Sequence, residues 1–394
     1  MAAGLVSLLV LPVTLAVAAE LPDATAFDGV SCPEVNFCEA VGYYSPTGQD
    51  VAPVAEQWDG TSWSAQSVPT PNTAKNAYLL AVSCATATSC MAVGNVGGKT
   101  LAESWDGTEW SIQATANPSY GKRVLTSVSC ASAYYCEASG SITQNNAGNI
   151  LPLAEGWNGT AWTVQTLPVT NQREGYGTAL EDVALSCLST TDCEAVGWSY
   201  WPTSQHNSLE AAAWQWNGTK WKFQQTPVIA TTTDQLNLES VSCQSGECVA
   251  IGWANLGSSQ GGNPSPNVPF GEVWNGTQWS VTQPQASNPV ASYDYLVSCP
   301  QATNCEAIGS DSTNPYIDDN ALFSDTYTGT DPWPATQSIP PPVSGDYMSL
   351  RAISCPQVNS CEAVGTYTSD VDGDYQQGRL AMGWDGTNWT LQPS

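Results

Sequence analysis

The sequence predicts an all-β, seven-bladed β-propeller with four antiparallel strands per blade and one disulfide inside each blade. Three observations predict it. All 14 cysteines fall in close pairs: Cys32 with Cys38, Cys84 with Cys90, Cys130 with Cys136, Cys187 with Cys193, Cys243 with Cys248, Cys299 with Cys305 and Cys355 with Cys361. Successive pairs begin 52, 46, 57, 56, 56 and 56 residues apart, a period that belongs to propellers and solenoids. Each period also carries the same phrases in the same order: an apolar run ending in V-S-C, then C-E-A-V-G, then W-[DN]-G-T-x-W.

The phrases translate into strands. The V-S-C run (Leu80 to Cys84 in the second unit) reads as the first strand, and C-E-A-V-G (Cys38 to Gly42 in the first) as the second. The residues before W-[DN]-G form the third strand and those from the second Trp onward form the fourth. Asp-Gly or Asn-Gly between apolar runs is a strong hairpin signal, and it predicts a type I′ turn with positive φ at both residues. Copies of the phrase begin at Trp58, Trp105, Trp157, Trp216, Trp274 and Trp384, and the sixth unit carries the degenerate Tyr327 to Trp333. Four strands per period is one blade. A parallel β-solenoid is the competing fold, but its coils are usually about half this length and lack internal hairpins.

Residues 1–19, MAAGLVSLLVLPVTLAVAA, read as a signal peptide: a short apolar core ends in small residues of the signal-peptidase type. Residues 20–394 then form a single propeller, with repeats near 24–71, 72–118, 119–171, 172–229, 230–286, 287–342 and 343–394. Lys plus Arg number 9 against 36 Asp plus Glu, a net charge of -27. Nucleic acid and anionic membrane surfaces would repel such a chain. The expectation is therefore a secreted, extracellular monomer with no nucleic-acid partner and no membrane insertion after signal cleavage.

The cysteines sit at the end of one strand and the start of the next, within disulfide reach across a tight hairpin. Zinc is a poor rival, because structural sites want further Cys or His and the chain has one histidine, His206. Thirteen of the 17 Trp belong to the repeat phrases, which suits packing between blades. Ala and Gly of A-V-G are expected to make room for a ring from the next blade. Two acidic columns recur: Glu39, Glu137, Glu194, Glu306 and Glu362 after the second Cys, and Glu56, Glu103, Glu155 and Glu272 before the repeat Trp. They read as acceptors for neighbouring-blade groups, with a cation-binding ring along the channel as the sharper alternative. Sequons at Asn158, Asn217, Asn275 and Asn388 match N-x-[ST]. Three of them coincide with hairpin turns, so glycosylation is not needed to explain them.

The S-C-x5-C-E-A-V-G and W-[DN]-G-T-x-W phrases resemble a repeat of uncharacterised exported bacterial proteins, especially of actinobacterial type, and more distantly kelch-like propellers. The resemblance implies the architecture and no reaction. A sialidase-type Asp-box is approached at Ser104 to Trp110 but lacks the spacer between Asp and Gly.

Length variation points to one end of the propeller. From the Gly of A-V-G to the repeat Trp, the gap runs from 10 residues in the second unit to 21 in the fifth. These connections, second to third strand and fourth strand to next blade (the B–C/D–A face), are where a ligand is expected. Trp198, Tyr200 and Trp201 form a candidate stacking cluster for sugar rings or a protein partner. Asp370, Asp372 and Asp374, with Asp318 and Asp319 on the adjacent blade, are candidate calcium ligands. No other cofactor and no catalytic residue is indicated. The leading expectation is an extracellular module that binds a glycan or protein. A carboxylate-dependent glycoside-active enzyme and a purely structural envelope protein are the alternatives.

Overall fold

A computed structural model describes residues 25–45, 50–71, 76–144, 149–168, 183–202, 207–227, 235–255, 267–282, 292–312, 320–329, 333, 337–339, 347–371 and 374–393. The fold is the seven-bladed propeller, and every blade is a four-stranded antiparallel sheet of consecutive strands. Blade 1 is β1 (Thr25–Glu34), β2 (Phe37–Tyr44), β3 (Ala52–Trp58) and β4 (Trp63–Gln66). Blade 2 is β5 (Ala77–Thr86), β6 (Ser89–Val96), β7 (Lys99–Trp105) and β8 (Trp110–Gln113). Blade 3 is β9 (Lys122–Ser132), β10 (Tyr135–Gln144), β11 (Asn149–Trp157) and β12 (Trp162–Gln165). Blade 4 is β13 (Ala184–Ser189), β14 (Asp192–Pro202), β15 (Asn207–Trp216) and β16 (Trp221–Gln224). Blade 5 is β17 (Gln235–Gln244), β18 (Glu247–Asn255), β19 (Val268–Trp274) and β20 (Trp279–Thr282). Blade 6 is β21 (Ser292–Gln301), β22 (Asn304–Ser312), β23 (Asn320–Tyr327) and β24 (Gln337–Ile339). Blade 7 is β25 (Tyr347–Gln357), β26 (Ser360–Val371), β27 (Asp374–Trp384) and β28 (Trp389–Leu391).

The first strand of each blade lies innermost and lines an axial cavity, and β25 packs against β1 to close the ring. All seven cysteine pairs form disulfides within their own blades, with Cα atoms 3.9–4.1 Å apart. The bridges join Cys32 to Cys38, Cys84 to Cys90, Cys130 to Cys136 and Cys187 to Cys193 in blades 1 to 4. Cys243 to Cys248, Cys299 to Cys305 and Cys355 to Cys361 follow in blades 5 to 7. Each closes a short hairpin, worth roughly 2 kcal/mol in the chain-entropy account. The second cysteine of each bridge is buried and stands opposite the repeat aromatic of the third strand. Cys136 faces Trp157, Cys193 faces Trp216, Cys248 faces Trp274, Cys305 faces Tyr327 and Cys361 faces Trp384. The bridges are thereby packed into the blades.

The Ser of V-S-C has its own task. Its hydroxyl accepts a hydrogen bond from the backbone N–H of the first Cys in the next blade, at 2.9–3.1 Å in all seven places. Cys32 N donating to Ser354 Oγ completes the circle.

The repeat tryptophans are structural. Trp58 stands opposite Trp63 across the hairpin, with ring centroids 5.6 Å apart, and the Trp pairs of the other blades repeat this. All but the half-buried Trp157 are buried. Each such ring removes on the order of 200 Å² from water.

The turn between the two tryptophans departs from the expected type I′. Trp58 and Trp63 pair directly and enclose four residues, closed by Asp59 N donating to Ser62 O. Only the glycine takes positive φ: Gly60 has φ 93° and its equivalents 82° to 94°. The Asp or Asn side chain acts as an acceptor instead. Asp59 Oδ1 receives Thr61 N, Thr61 Oγ1 and Ser62 N. Asn158, Asn217 and Asn275 do the same. Both residue types present an Oδ1, which is why they interchange.

Neighbouring blades are latched by a relay. Glu39 Oε1 accepts Gln66 Nε2 at 3.1 Å, and Gln66 Oε1 accepts the indole Nε1 of Trp110 in blade 2 at 2.6 Å. Glu137–Gln165–Trp221 and Glu194–Gln224–Trp279 repeat it. Gln392 Oε1 accepts Trp63 Nε1 at 2.7 Å across the seam between the last and first blades. Thr282 and Ser324 replace Gln as acceptors for Trp333 and Trp389. Blade 2 breaks the pattern. Met91 stands where the Glu would be, Gln113 turns to Ser104, and the Trp162 Nε1 has no hydrogen-bond partner.

Candidate functional site

A β-bulge in the first strand builds the site. In six blades one residue is extra in the pairing of the first two strands; in blade 6 the shift falls between Tyr293 and Leu296, and in the other five the extra residue is Asp28, Leu80, Thr126, Glu239 or Arg351, each four residues before the first Cys. The glycine of A-V-G permits it. A Cβ on Gly42 would lie 1.9 Å from the carbonyl oxygen of Ala26, and Gly94, Gly140, Gly252 and Gly365 meet the corresponding carbonyls at 1.9–2.1 Å. This corrects the expectation that the glycine admits a ring from the next blade: it admits the backbone of its own first strand.

Asp28, Leu80, Thr126, Glu239 and Arg351 all line the axial cavity, whose volume is about 290 Å³. Leu80 adds an apolar side chain, while Asp28, Thr126, Glu239 and Arg351 supply polar ones. The residue two before each first Cys, including Val30, Val82, Leu185 and Ile353, forms an aliphatic collar farther along the axis. First strands run from the D–A end toward the disulfide end, so the polar ring lies on the variable-loop side of the collar. The disulfide cysteines take no part in the lining: Cys136, Cys193, Cys248, Cys305 and Cys361, like their partners, serve the blades and not the cavity.

The polar ring is uneven in its satisfaction. Glu239 is held, accepting Asn237 Nδ2, Trp253 Nε1 and Tyr295 N. Asp28 Oδ2 and Thr126 Oγ1 are shielded from solvent and have no hydrogen-bond partner in the protein. Burial raises the Asp28 carboxyl to about 6, with the Arg351 charge pulling the other way. Tyr43 on β2 shares this environment. Its phenol is pushed up by burial and by Asp28, and it stacks edge-on against Tyr78 of blade 2 with centroids 4.9 Å apart. Asp28, Tyr43 and Arg351 thus gather a carboxyl, a phenol and a guanidinium at the wall where blades 7 and 1 meet.

Neither acidic column belongs to this cavity, which corrects the idea of a cation ring. The columns are buried inside the blades. In the first, Glu39, Glu137 and Glu194 accept from Gln side chains of their own blade rather than from neighbouring backbone. In the second, Glu56 pairs with Arg379 of blade 7 at 3.4 Å, and Glu155 accepts Thr100 Oγ1 and Ala116 N of blade 2. Glu103 and Glu272 have no partner for either oxygen. Loss of solvent lifts Glu39, Glu103, Glu194 and Glu272 to about 8, and Glu137, Glu306 and Glu362 to about 7. Asp325 shares the second column's register, opposite Ala307, and escapes the sequence phrase because blade 6 is degenerate.

The aromatic cluster lies on a strand rather than a loop. β14 extends through it, pairing half-buried Trp198 with Ala211, Tyr200 with Leu209 and Trp201 with Ser208. The side chains of Tyr200 and Trp201 lie outside the described residues, so only their backbone register is given. The strands run into the acidic segment: β26 and β27 pair up to Asp370 opposite Tyr375 and Val371 opposite Asp374. Asp372, Asp318 and Asp319, and the side chains of Asp370 and Asp374, lie outside the described residues. Among the described residues no group of three His, Cys, Asp or Glu comes together to hold a metal. The channel residues escape sequence reasoning. Their one signal is that position four before the first Cys changes chemistry from repeat to repeat.

No protein-family model matches the chain, and no curated protein matches it in sequence. Solved structures do match in shape. An ulvan lyase of polysaccharide lyase family PL25, bound to -[GlcA(1-4)Rha3S]-, superposes with TM-score 0.54 at 9% identity, covering 94% of this chain and 96% of that one. The GH74 xyloglucanase from Xanthomonas campestris superposes with TM-score 0.51 at 11% identity, covering 95% of this chain and 55% of that one. At these identities the likeness is one of fold.

Proposed function

We propose that the protein is an exported, extracellular propeller that engages a glycan at the B–C/D–A end of its central channel. The observation that carries the reading is the cavity wall, where Asp28, Thr126, Glu239 and Arg351 set polar residues on an otherwise aliphatic lining. Two further facts support it. Seven disulfides suit an oxidising compartment. The shape-matched structures include a polysaccharide lyase and a xyloglucanase. Trp198, Tyr200 and Trp201 occupy the same end of blade 4 and would extend the contact to more distant sugar units.

A glycan array followed by calorimetry tests the reading. Specific binding, weakened tenfold or more by Asp28→Asn or Thr126→Val, is expected. Binding that ignores both substitutions, or no binding at all, overturns it. One observation favours a second, glycoside-active reading: Asp28, at about 6 beside Tyr43, is suited to exchange protons near neutral pH. Release of reducing ends or unsaturated products from the bound glycan would select it over binding alone.

A further inference from the structure

We infer that the channel takes a single uncharged sugar residue, presented end-on, so that the protein recognises a chain terminus or free monosaccharide rather than the middle of a polymer. This rests on the reading that the channel is the glycan site. Three features of the cavity carry it. Its volume of about 290 Å³ lies at the bottom of the range in which proteins hold small molecules. One ring and its substituents fit that scale, and a run of several rings does not. The wall is also continuous: first strands from all seven blades contribute to it, and the circle of Ser–Cys hydrogen bonds is closed through Ser354 and Cys32. A cavity walled on all sides by first strands is reached along its axis, by an end. An open groove, by contrast, would admit a chain lying across it.

The third feature is the distribution of polarity. A pyranose carries hydroxyls around its edge and C–H groups on its faces. The cavity offers the same division, with Asp28, Thr126 and Arg351 at the bulge level and an aliphatic collar along the axis. Charge selects among sugars. The ring holds two carboxyl side chains, Asp28 and Glu239, against the single guanidinium of Arg351, which already interacts with Asp28. The whole chain carries -27. A uronate or sulfated sugar would enter against that field, whereas a neutral sugar would not.

The test titrates the full-length protein by calorimetry and saturation-transfer NMR with glucose, galactose, mannose, xylose and rhamnose. Glucuronate, galacturonate and linear and cyclic oligosaccharides of the bound neutral sugar complete the panel. The expected result is binding of at least one neutral monosaccharide, tenfold or more tighter than either uronate. Linear oligomers should bind at least tenfold tighter than cyclic ones, which have no end. Thr126→Val should weaken that binding tenfold, while Gln113→Ala on the outer strand of blade 2 leaves it unchanged. Uronates equal to neutral sugars, or cyclic oligomers equal to linear ones, with Thr126→Val still weakening binding, overturn the inference and leave the site standing. Binding indifferent to both Thr126→Val and Asp28→Asn overturns the site itself, as does silence across the panel.

Discussion

Replacing Glu103 by Met should make the propeller more stable in alkaline solution and leave it little changed in acid. Glu103 is 0% exposed, and neither of its oxygens has a partner. It stands between Ala92 and Ile112 in the blade 2 register. Blade 7 places Met382 at the same register position, between Ala363 and Leu391, at 1% exposure. The substitution therefore imports a side chain that the fold already accommodates. Burial raises the Glu103 carboxyl from 4.5 to about 8, so the folded protein keeps this proton up to about pH 8 while the unfolded chain releases it near 4.5. Between those values the unfolded state binds fewer protons, and stability falls as pH rises. The contribution is complete below pH 4.5 and lost as pH climbs through about 8. At ~1.36 kcal/mol per pH unit the interval is worth at most ~5 kcal/mol. The Met variant lacks that loss. Its advantage over the parent should be small at pH 4.5 and grow toward that ceiling by pH 9. Thermal unfolding midpoints of parent and variant, taken at intervals from pH 4.5 to 9, measure it. Parallel pH profiles for the two proteins would refute the reasoning, because they would mean Glu103 ionises without cost.

The latches make a paired prediction. Gln165→Ala strands the Trp221 Nε1 and removes a donor from Glu137, and should cost about 2–4 kcal/mol of stability, against under ~1 for Gln113→Ala, which breaks no latch. Equal losses in denaturant titrations would discredit the relay. Gly94→Ala places a Cβ 2.0 Å from the Tyr78 carbonyl and should cost more than about 3 kcal/mol or abolish folding, read from soluble yield and unfolding midpoint; a wild-type midpoint would remove the glycine's role in the bulge. Cys84→Ser with Cys90→Ser should cost roughly 2 kcal/mol and leave the other six bridges formed by mass spectrometry; scrambled pairing would contradict their independence.

The elements legible in the sequence are those made by short-range contacts. Cys84 and Cys90 face each other across one hairpin, and Trp105 and Trp110 across another, so spacing alone reveals their partnership. The turn type differs from expectation although its spacing is in view: an Asn-Gly signal implies a two-residue loop, whereas W-x-G-x-x-W leaves four residues between the paired rings. The channel is hidden for a different reason. Asp28, Leu80, Thr126, Glu239 and Arg351 share a position but no chemistry, so they look like noise in a repeat. What unites them is the extra residue in the ladder. That follows from the close approach of a glycine to a carbonyl, which no side-chain pattern reports. Blade 6 underlines the point. Tyr295 there is 2% exposed and packs in the core instead of joining the ring.

Closure of the ring without strand exchange makes the boundary between the last and first blades ordinary. Trp63 receives its acceptor from Gln392 as Trp110 does from Gln66, and Cys32 bonds to Ser354 as Cys84 does to Ser31. A circular permutant, opened between two other blades and spliced across this boundary, would rebuild the same seven junctions from the same residues. Such a molecule should melt where its parent does, and the point at which translation starts becomes a free choice for anyone grafting a second domain onto the rim.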